Sequence, residues 1–316
     1  MKKDFENIKL DKVKSYSIKD RKSKVTTRDF GKVFEKNGSF NDFIEGLPDI
    51  LASRDLKEIV SRIIAAYKDN RIIAFALGAH VIKVGLNPII INLMEKGIIS
   101  SVALNGAGVI HDSEIAMAGQ TSEDVSDGLK EGSFGMAEET ATLINGAISQ
   151  GVEKGWGIGK SVGEKLIELN LPYNNLSILA SGIRLNVPVT VHVAIGTDII
   201  HMHPSCNGAA LGEGSHLDFR LFSSIISNLE KGIYLNIGSS VMLPEVFLKA
   251  LTLVRNLGFD VKNFTTVNMD FIQQYRPLTN VVKRPTLEDG RGYSLIGHHE
   301  IMIPLLAAAI LEGLKI

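Results

Sequence analysis

Continuous runs of apolar residues recur along the chain, separated by glycine-containing turns and by stretches with helical spacing. The runs predict strands that are covered on both faces of a parallel sheet, because such strands have no polar side. They lie at residues 71–77, 98–104, 187–195, 232–237 and 264–268. The repeated order of strand, turn and helix predicts an α/β fold, with a parallel sheet and helices on both of its faces.

Apolar residues spaced three and four apart predict the helices. These patterns lie at residues 43–51, 56–67, 86–96, 137–150, 221–229, 244–257 and 300–314. Three glycine-rich or charged segments are predicted as a surface loop that could act as a lid (119–135), a mobile segment (151–163) and a further loop (276–297). Residues 1–40 lack periodicity, so we predict an N-terminal arm (1–40) followed by a single α/β domain (41–316).

The composition limits the partners and the location. Hydrophobic residues make up 45% of the chain, the net charge is −1 and the charges are interspersed, so we expect no nucleic acid and no membrane as a partner. The basic stretch Lys9–Lys24 is interpreted as a solvated arm. Cys206 is the only cysteine, which excludes an internal disulfide and favours a reducing compartment. The pattern shows no signal peptide and no membrane span, so we expect a cytoplasmic protein.

Residues 187–219 combine a predicted strand with a dense group of side chains suited to chemistry. Asp198, His201, His203, Glu213 and Asp218 follow the strand, together with several glycines. In open α/β sheets, ligands bind beyond the carboxyl ends of the strands, where loops present backbone amides and helix N-termini. We therefore predict a functional loop after this strand.

Two more glycine turns follow predicted strands. The first contains Gly78, His80, Lys83 and Gly85, and the second contains Asn105, Gly106, Gly108 and Asp112. Glycine allows the backbone to approach a ligand closely. Neither turn has the usual dinucleotide-binding spacing, so the residues alone are equally compatible with nucleotide binding and with plain tight turns.

Histidines suggest a second kind of site. His201 and His203, with Cys206 and His216, could coordinate a metal ion, as could the sequence His298-His299-Glu300. The His-x-His spacing does not establish this, because alternate residues of a strand share a face by default. Cys206 has no defined histidine partner and is interpreted as passive. His192, inside an apolar strand, is interpreted as a core residue.

Three motifs resemble segments of the deoxyhypusine synthase family, and the first is more distantly similar to the Gly-Ala-Gly turn of sirtuins. The first two are Gly78-Ala-His80-Val-Ile-Lys83-Val-Gly85-Leu-Asn-Pro and Asn105-Gly106-Ala-Gly108-Val with Asp112. The third is Glu213-Gly214-Ser215-x-x-Asp218, which resembles the family's D-G-S-x-x-D loop with Glu replacing the first Asp. Their order matches the family from about residue 40 to about residue 310.

This resemblance implies a Rossmann-like fold and a homotetramer that binds NAD. Members of that family take a hydride from spermidine and pass a butylamine group, through an imine on a lysine, to a protein lysine. The resemblance places Glu213 at a cofactor ribose and Asp218 at a cationic amine. It implies that the cofactor contacts Gly78, His80, Lys83, Gly85, Asn105, Gly106, Gly108, Asp112, Glu213, Gly214, Ser215, Gly238 and Ser239.

The chain departs from the family in the residues that carry the chemistry. Gly238-Ser239-Ser240 replaces a glycine turn that is followed by histidine in the family. Tyr275-Arg276-Pro277 resembles the family's A-R-P segment, but the expected lysine falls near Pro285, and Lys283 lies two residues short of it. The tryptophan that precedes the family's lysine is also missing. Lys283 could form the imine only if a desolvated site lowers its pKa.

The leading hypothesis is therefore an NAD-dependent transferase or oxidoreductase that acts on an amine, polyamine or amino acid. Lys283, Asp218, Glu245 and His299 are the catalytic candidates, with His201 as a further possible base. One alternative is a metal-dependent hydrolase that uses His201, His203 and His216. The other alternative is a non-catalytic nucleotide-binding protein.

Overall fold

A single six-stranded parallel sheet organises the computed structural model, which describes residues 4–316. In spatial order the strands are β3, β2, β1, β4, β5 and β6. Their bounds are β1 (Ile73–Leu77), β2 (Ser101–Asn105), β3 (Val189–His192), β4 (Ile233–Ile237), β5 (Thr265–Asp270) and β6 (Arg291–Ile296). The prediction of an α/β fold with a Rossmann-like parallel sheet is confirmed.

Helices connect the strands and cover both faces of the sheet, as parallel connections require. The helices are α1 (Phe40–Gly46), α2 (Leu51–Lys68), α3 (Ala79–Lys83), α4 (Asn87–Glu95), α5 (Gly106–Ala118), α6 (Val125–Glu131), α7 (Glu138–Val152), α8 (Ile158–Leu169), α9 (Ile178–Leu185), α10 (Gly208–Ile226), α11 (Met242–Asn256), α12 (Tyr275–Pro277) and α13 (His299–Leu314). A π-helical turn (Leu278–Lys283) continues α12.

Alternation of side chains along the strands gives each face of the sheet its own core. Phe75 and Leu77 of β1 join the larger core, whereas Ala74 and Ala76 face the other side. The small alanines leave space on that side for an aromatic group from β4 and α11, in which the rings of Tyr234 and Phe247 stack at 3.8 Å. Both rings are fully buried, so this group fixes α11 against the sheet.

Two regions differ from the sequence prediction. The segment 276–297 was predicted as a loop, but it contains β6, whose side chains are buried only at Tyr293 and Leu295. An edge strand with glycine and arginine lacks the continuous apolar run that marks the inner strands. Gly208 begins helix α10, so the predicted functional loop ends earlier than expected. Gly212 and Gly214 concealed this helix because glycine is a poor helix former.

The predicted lid and mobile segment also contain helical structure. Helix α6 lies within residues 119–135, and α8 begins at Ile158. Residues 4–39 form only two short 3₁₀ turns and are almost entirely exposed. Asp29 and Lys32 connect this arm to the α1–α2 region through backbone hydrogen bonds. Within residues 4–316, no helix combines the length and the apolar character needed to cross a membrane.

Candidate functional site

The site begins where β1 and β4 lie side by side at the centre of the sheet. The chain order runs outward from β1 to β3 on one side and from β4 to β6 on the other, which makes this the topological switch point. Gly78 and Gly238 follow the two strands, and a Cβ at Gly78 would overlap the Gly238 carbonyl oxygen. Gly238 also adopts a positive φ of 70°. The two turns can touch only because residue 78 has no side chain.

His299 lies directly beneath the Gly238 turn. A Cβ at Gly238 would lie 2.7 Å from His299 Nε2, so glycine also makes room for this ring. The imidazole is 1% exposed, and neither of its nitrogens has a hydrogen-bond partner. Its Nε2 lies 3.7 Å from Asp270 Oδ1 at the end of β5. Burial lowers the pKa of His299, an effect that Asp270 partly opposes, so the neutral imidazole is favoured.

Exposed rings surround the buried imidazole. The His80 ring lies 5.9 Å from the His299 ring and 6.4 Å from the ring of Phe271. Phe271 and His298 are nearly parallel, with an interplanar angle of 6° and centroids 6.3 Å apart. Exposed aromatic faces of this kind can stack against a flat heterocycle such as a nicotinamide or adenine ring. We call Gly78, His80, Gly238, Asp270, Phe271, His298 and His299 the switch-point cluster.

A second feature lies beside the switch-point cluster, at the carboxyl end of β2. A cavity of about 220 Å³ is bounded by Lys83, by the first turns of α5 at Ala107 and His111, and by Asp198. The predicted lid contributes Glu123 and Phe134 to the same cavity. Lys83 and Gly85 are exposed, and Gly85 has a φ of 77°. The two glycine turns named from the sequence therefore lead to neighbouring parts of one edge of the sheet.

The second glycine turn already makes contacts with other side chains of the protein. Asn105 caps α5 by accepting a hydrogen bond from the Gly108 amide at 3.0 Å. The carboxylate of Asp198 lies against Gly106, where a Cβ would overlap it, and beside the backbone of Ala107. Burial raises the pKa of Asp198, and nearby His201 opposes that rise. Asp198 thus occupies the N-terminus of α5.

Asp112, predicted to contact the cofactor, is fully buried instead. Its carboxylate accepts hydrogen bonds from the amides of Ile178 and Leu179 at 2.8 and 3.0 Å, and from the Asn87 side chain at 2.9 Å. Burial raises its pKa to about 6 despite these donors. Asp112 caps α9 and ties it to α4 and α5, so in this structure its carboxylate is not available to a ligand.

Asp218 is 1% exposed and does not face a cleft where an amine could bind. Its Oδ2 accepts hydrogen bonds from the amides of Gly159 at 2.9 Å and Val191 at 2.8 Å. Burial raises the pKa of Asp218 to about 7. A Cβ at Gly157 would overlap the carboxylate, so glycine gives Asp218 access to the start of α8. The residue joins α10, α8 and β3.

Glu213, Gly214 and Ser215 lie on the same helix as Asp218, α10. Glu213 is exposed, and Gly214 is buried, where a Cβ would lie 3.0 Å from Ile158. Ser215 accepts a hydrogen bond from the Val193 amide at 3.2 Å, just beyond β3. Glu213 therefore lies near the carboxyl edge of the sheet and remains open to solvent. Ser239 has a capping role, since its hydroxyl accepts a hydrogen bond from Leu243 at 3.2 Å.

Lys283 is not brought to the switch-point cluster. The carbonyl of Val282, next to Lys283, lies against Gly292 at the start of β6. Pro285 accepts a hydrogen bond from Arg255 in the last turn of α11. Both contacts place Lys283 toward the amino ends of the strands, whereas His299 lies at their carboxyl ends.

Glu245 is held in the first turn of α11. It forms an ion pair with Lys249 and accepts a hydrogen bond from Asn280 at 2.8 Å. Lys249 is the main cause that lowers the pKa of Glu245, with Arg276 adding to the effect. An ionised and already paired carboxylate joins α11 to the π-helical turn, and it is less suited than a free base to remove a proton.

The histidine metal hypothesis is not supported by the geometry. His201 Nδ1 accepts hydrogen bonds from Gly196 and Asp198, and His203 Nδ1 lies 2.8 Å from the Ser205 hydroxyl. His216 stacks on Phe219 along α10. Across residues 4–316, no three His, Cys, Asp or Glu side chains form a group that could hold a metal. His192 is a core residue as predicted: it is 2% exposed, and burial lowers its pKa to about 3.

Sequence reasoning missed Asp270, Phe271 and the importance of Asp198. Asp270 and Phe271 follow a strand that was predicted to end at Asn268. Polar or aromatic residues just beyond each predicted strand would have identified them, because parallel strands all end at the same edge. The contact between Asp198 and Gly106 joins residues far apart in sequence, so no local pattern could reveal it.

The fold and the cluster define a doubly wound α/β protein that carries aromatic and ionisable side chains at its switch point, the position where such folds bind ligands. No protein-family model and no curated protein sequence matches the chain. Solved structures do match: a protein assigned to the LOR/SDH type from Methanococcus maripaludis aligns with a TM-score of 0.52 and 18% identity over 89% of this chain and 72% of that one. A protein assigned as a deoxyhypusine synthase from Entamoeba histolytica gives 0.53 and 12%, covering 89% and 96%.

AgrE, whose structure was solved with ornithine and NAD⁺, aligns with a TM-score of 0.54 and 13% identity. The match covers 83% of this chain but only 33% of AgrE, so the chain spans about one third of that protein. The resemblance to deoxyhypusine synthase is thus confirmed at the level of the fold. At these identities the similarity establishes a shared architecture, and function must be argued from the site.

Proposed function

We propose that the chain is an NAD-dependent enzyme that oxidises an amine, polyamine or amino acid. The observation that carries the proposal is the switch-point cluster, where a buried imidazole without a partner lies between two touching glycine turns and a carboxylate. Ligands bind at this position in open α/β sheets. The fold shared with NAD-bound AgrE supports the choice of cofactor.

The residues present fit a dinucleotide in three respects. Exposed rings of His80, Phe271 and His298 offer faces for a heterocycle, and the first glycine turn with Lys83 offers a cation near the phosphates. Glu213, exposed at the same edge, is the proposed acceptor for ribose hydroxyls. When bound, NAD would accept the hydride from the carbon that carries the amine.

His299 is the proposed base. Its neutral imidazole can accept the proton that an ammonium substrate must lose before its carbon is oxidised. Asp270, 3.7 Å from Nε2, would stabilise the resulting imidazolium. His80 is exposed and its ring lies 5.9 Å from the His299 ring, so it offers a route for the proton to solvent. Lys283 lies at the opposite edge of the sheet, and we propose no imine on it.

Thermal unfolding with and without NAD tests the cofactor. A ligand at about 100 times its dissociation constant adds about 2.7 kcal/mol of stability, so a clear upward shift is expected. Glu213→Ala should abolish the shift without lowering the melting temperature of the free protein, because Glu213 is exposed. Protein that shows no shift, and that carries no nucleotide from purification, would contradict the proposal.

NADH formation, measured with a panel of diamines, polyamines and basic amino acids, tests the reaction. His299→Gln should lower kcat by about 10²-fold or more while NAD still stabilises the protein. His216→Gln is the matched control, since His216 is exposed on α10. If His216→Gln were the inactive variant, the metal-dependent hydrolase would be favoured instead. NAD binding without turnover of any amine would favour the non-catalytic nucleotide-binding protein.

A further inference from the structure

The segment that follows β3 folds back onto the start of α5. Thr197 and Asp198 line the cavity beside α5, and the Asp198 carboxylate lies against Gly106 and the Ala107 amide. The first amides of a helix point outward without partners in their own helix and carry partial positive charge. This is the place where helices commonly hold phosphate or other anions. Here the anion is a side chain of the protein itself.

The His201 imidazole lies beside this carboxylate and is bonded to the backbone of the same segment. Its Nδ1 accepts hydrogen bonds from the amides of Gly196 and Asp198 at 3.0 and 3.3 Å, so the remaining ring proton is on Nε2. That Nε2 is buried, has no hydrogen-bond partner and lies 3.9 Å from Asp198 Oδ2. The imidazole N–H and the carboxylate therefore approach each other without forming a normal hydrogen bond. The two groups are held close together, but the hydrogen-bonding capacity of Nε2 is not satisfied.

We propose that Asp198 masks a phosphate-binding site at the N-terminus of α5, and that a ligand phosphate must displace it together with residues 196–201. The proposal rests on the proposed NAD function and deepens it, because it names the place of a cofactor phosphate. Once Asp198 leaves, Ala107 at the start of α5 and Lys83 both line the vacated space. A backbone donor at a helix N-terminus and a lysine are a common pair for binding phosphate.

Two acidic residues on the opposite wall of the cavity already accept hydrogen bonds from other groups of the protein. Glu114 accepts hydrogen bonds from Thr121 and Thr140. Glu123 accepts one from the Gly135 amide at 2.8 Å. The carboxylate that competes directly for the α5 amides is Asp198, so its charge should dominate the effect on an incoming phosphate.

Calorimetric titration of Asp198→Asn and Asp198→Ala with NAD, and separately with inorganic pyrophosphate, tests the proposal. Both variants should bind both probes about tenfold or more tightly than the wild type, because a like charge has been removed from the site. Asp289→Asn is the matched control, since it removes the same charge from an exposed position at the amino edge of the sheet. Melting temperatures of all variants confirm that they are folded.

Each other outcome has a defined meaning. Weaker NAD binding in Asp198→Asn would overturn the proposal and identify Asp198 as an acceptor for ligand hydroxyls. Unchanged binding of both probes would show that the carboxylate does not compete with anions. Tighter pyrophosphate binding with no NAD binding in any variant would retain the masked phosphate site and reject the proposed NAD function.

Discussion

Two carboxyl groups, Asp112 and Asp218, are buried and accept hydrogen bonds from the first amides of a helix. Asp112 serves α9 and Asp218 serves α8, and each also joins its helix to another element. Such bonds favour the charged form, whereas burial disfavours it more strongly, so both pKa values are raised. Each residue therefore joins elements of the fold, and its contribution to the free energy of unfolding depends on pH.

Asp218 predicts how stability responds to pH. Its pKa is about 7 in the folded protein and near 3.9 when unfolded, so its contribution to stability is complete below about pH 4 and is lost as the pH rises through about 7. The amide of Asp218→Asn can accept the same bonds without a charge. The stability of this variant relative to wild type should rise by roughly 2 to 4 kcal/mol between about pH 4 and about pH 8.

Urea unfolding across that pH range measures the effect. Asp289→Asn provides the comparison, because Asp289 is exposed and should leave the pH profile unchanged. A parallel profile for wild type and Asp218→Asn would mean that the buried carboxyl group titrates normally. If Asp218→Asn instead kept its stability profile and lost only the binding of an amine, the role implied by the family resemblance would be restored.

At the scale of elements, the start of α5 depends on the loop after β3. Gly106→Ala should lower the free energy of unfolding by about 1 to 3 kcal/mol, because its Cβ would overlap the Asp198 carboxylate. In an Asp198→Ala background the overlapping atoms are gone, and alanine is the better helix former. The same substitution should then be neutral or stabilising.

A double-mutant cycle measured by urea unfolding gives this coupling directly. Additive effects of Gly106→Ala and Asp198→Ala would mean that the loop and the helix move apart freely. Gly212→Ala is a control within a helix, since a Cβ at Gly212 would meet no neighbouring atom. It should be neutral or stabilising in both backgrounds.

The sequence predicted the inner elements better than the outer ones. Strands β1, β2, β4 and β5 were found because burial on both faces leaves a continuous apolar run. Strand β6 was missed because only Tyr293 and Leu295 of its side chains are buried, and its Arg291 and Gly292 resemble a loop, whereas the other edge strand, β3, is fully buried and was predicted. Helix α10 was placed too late because the glycines in its first turns resemble a turn, although Gly214 packs against Ile158 of α8.

The sequence predicted only those parts of the site whose residues are close together along the chain. The first glycine turn, with Gly78 and His80, was correctly expected at a strand end. Two contacts depend on which strands are neighbours: Gly78 with Gly238, and His299 with Asp270. No local sequence pattern predicts that strand order. Buried acids such as Asp218 also look like ligand-binding acids in a sequence, because both types follow glycine-rich segments.

For the whole molecule, the N-terminal arm has no core of its own. Phe5, Ile8, Leu10 and Tyr16 are between 73% and 88% exposed, which is unusual for a group of large apolar side chains in one short segment. We predict that the arm packs against a neighbouring copy of the chain, which would cover these apolar side chains. Deleting residues 1–39 should therefore reduce the oligomer size without unfolding the α/β domain.

Light scattering gives the oligomer size, and circular dichroism reports whether the domain is folded. A variant with Phe5, Ile8 and Leu10 replaced by serine keeps the length of the arm and should behave like the deletion. If both variants retain the size of the wild-type protein, the arm does not hold the oligomer together. A smaller size only for the deletion would assign the contact to other arm residues.

The contact of Asp198 with the first turn of α5 also has a kinetic consequence. If a phosphate can enter only after residues 196–201 have moved, opening of this segment precedes association. In rapid-mixing experiments, the observed association rate would then level off at high NAD concentration, at the rate of opening. Asp198→Ala should remove the plateau, so that association becomes a simple second-order encounter limited by diffusion and orientation.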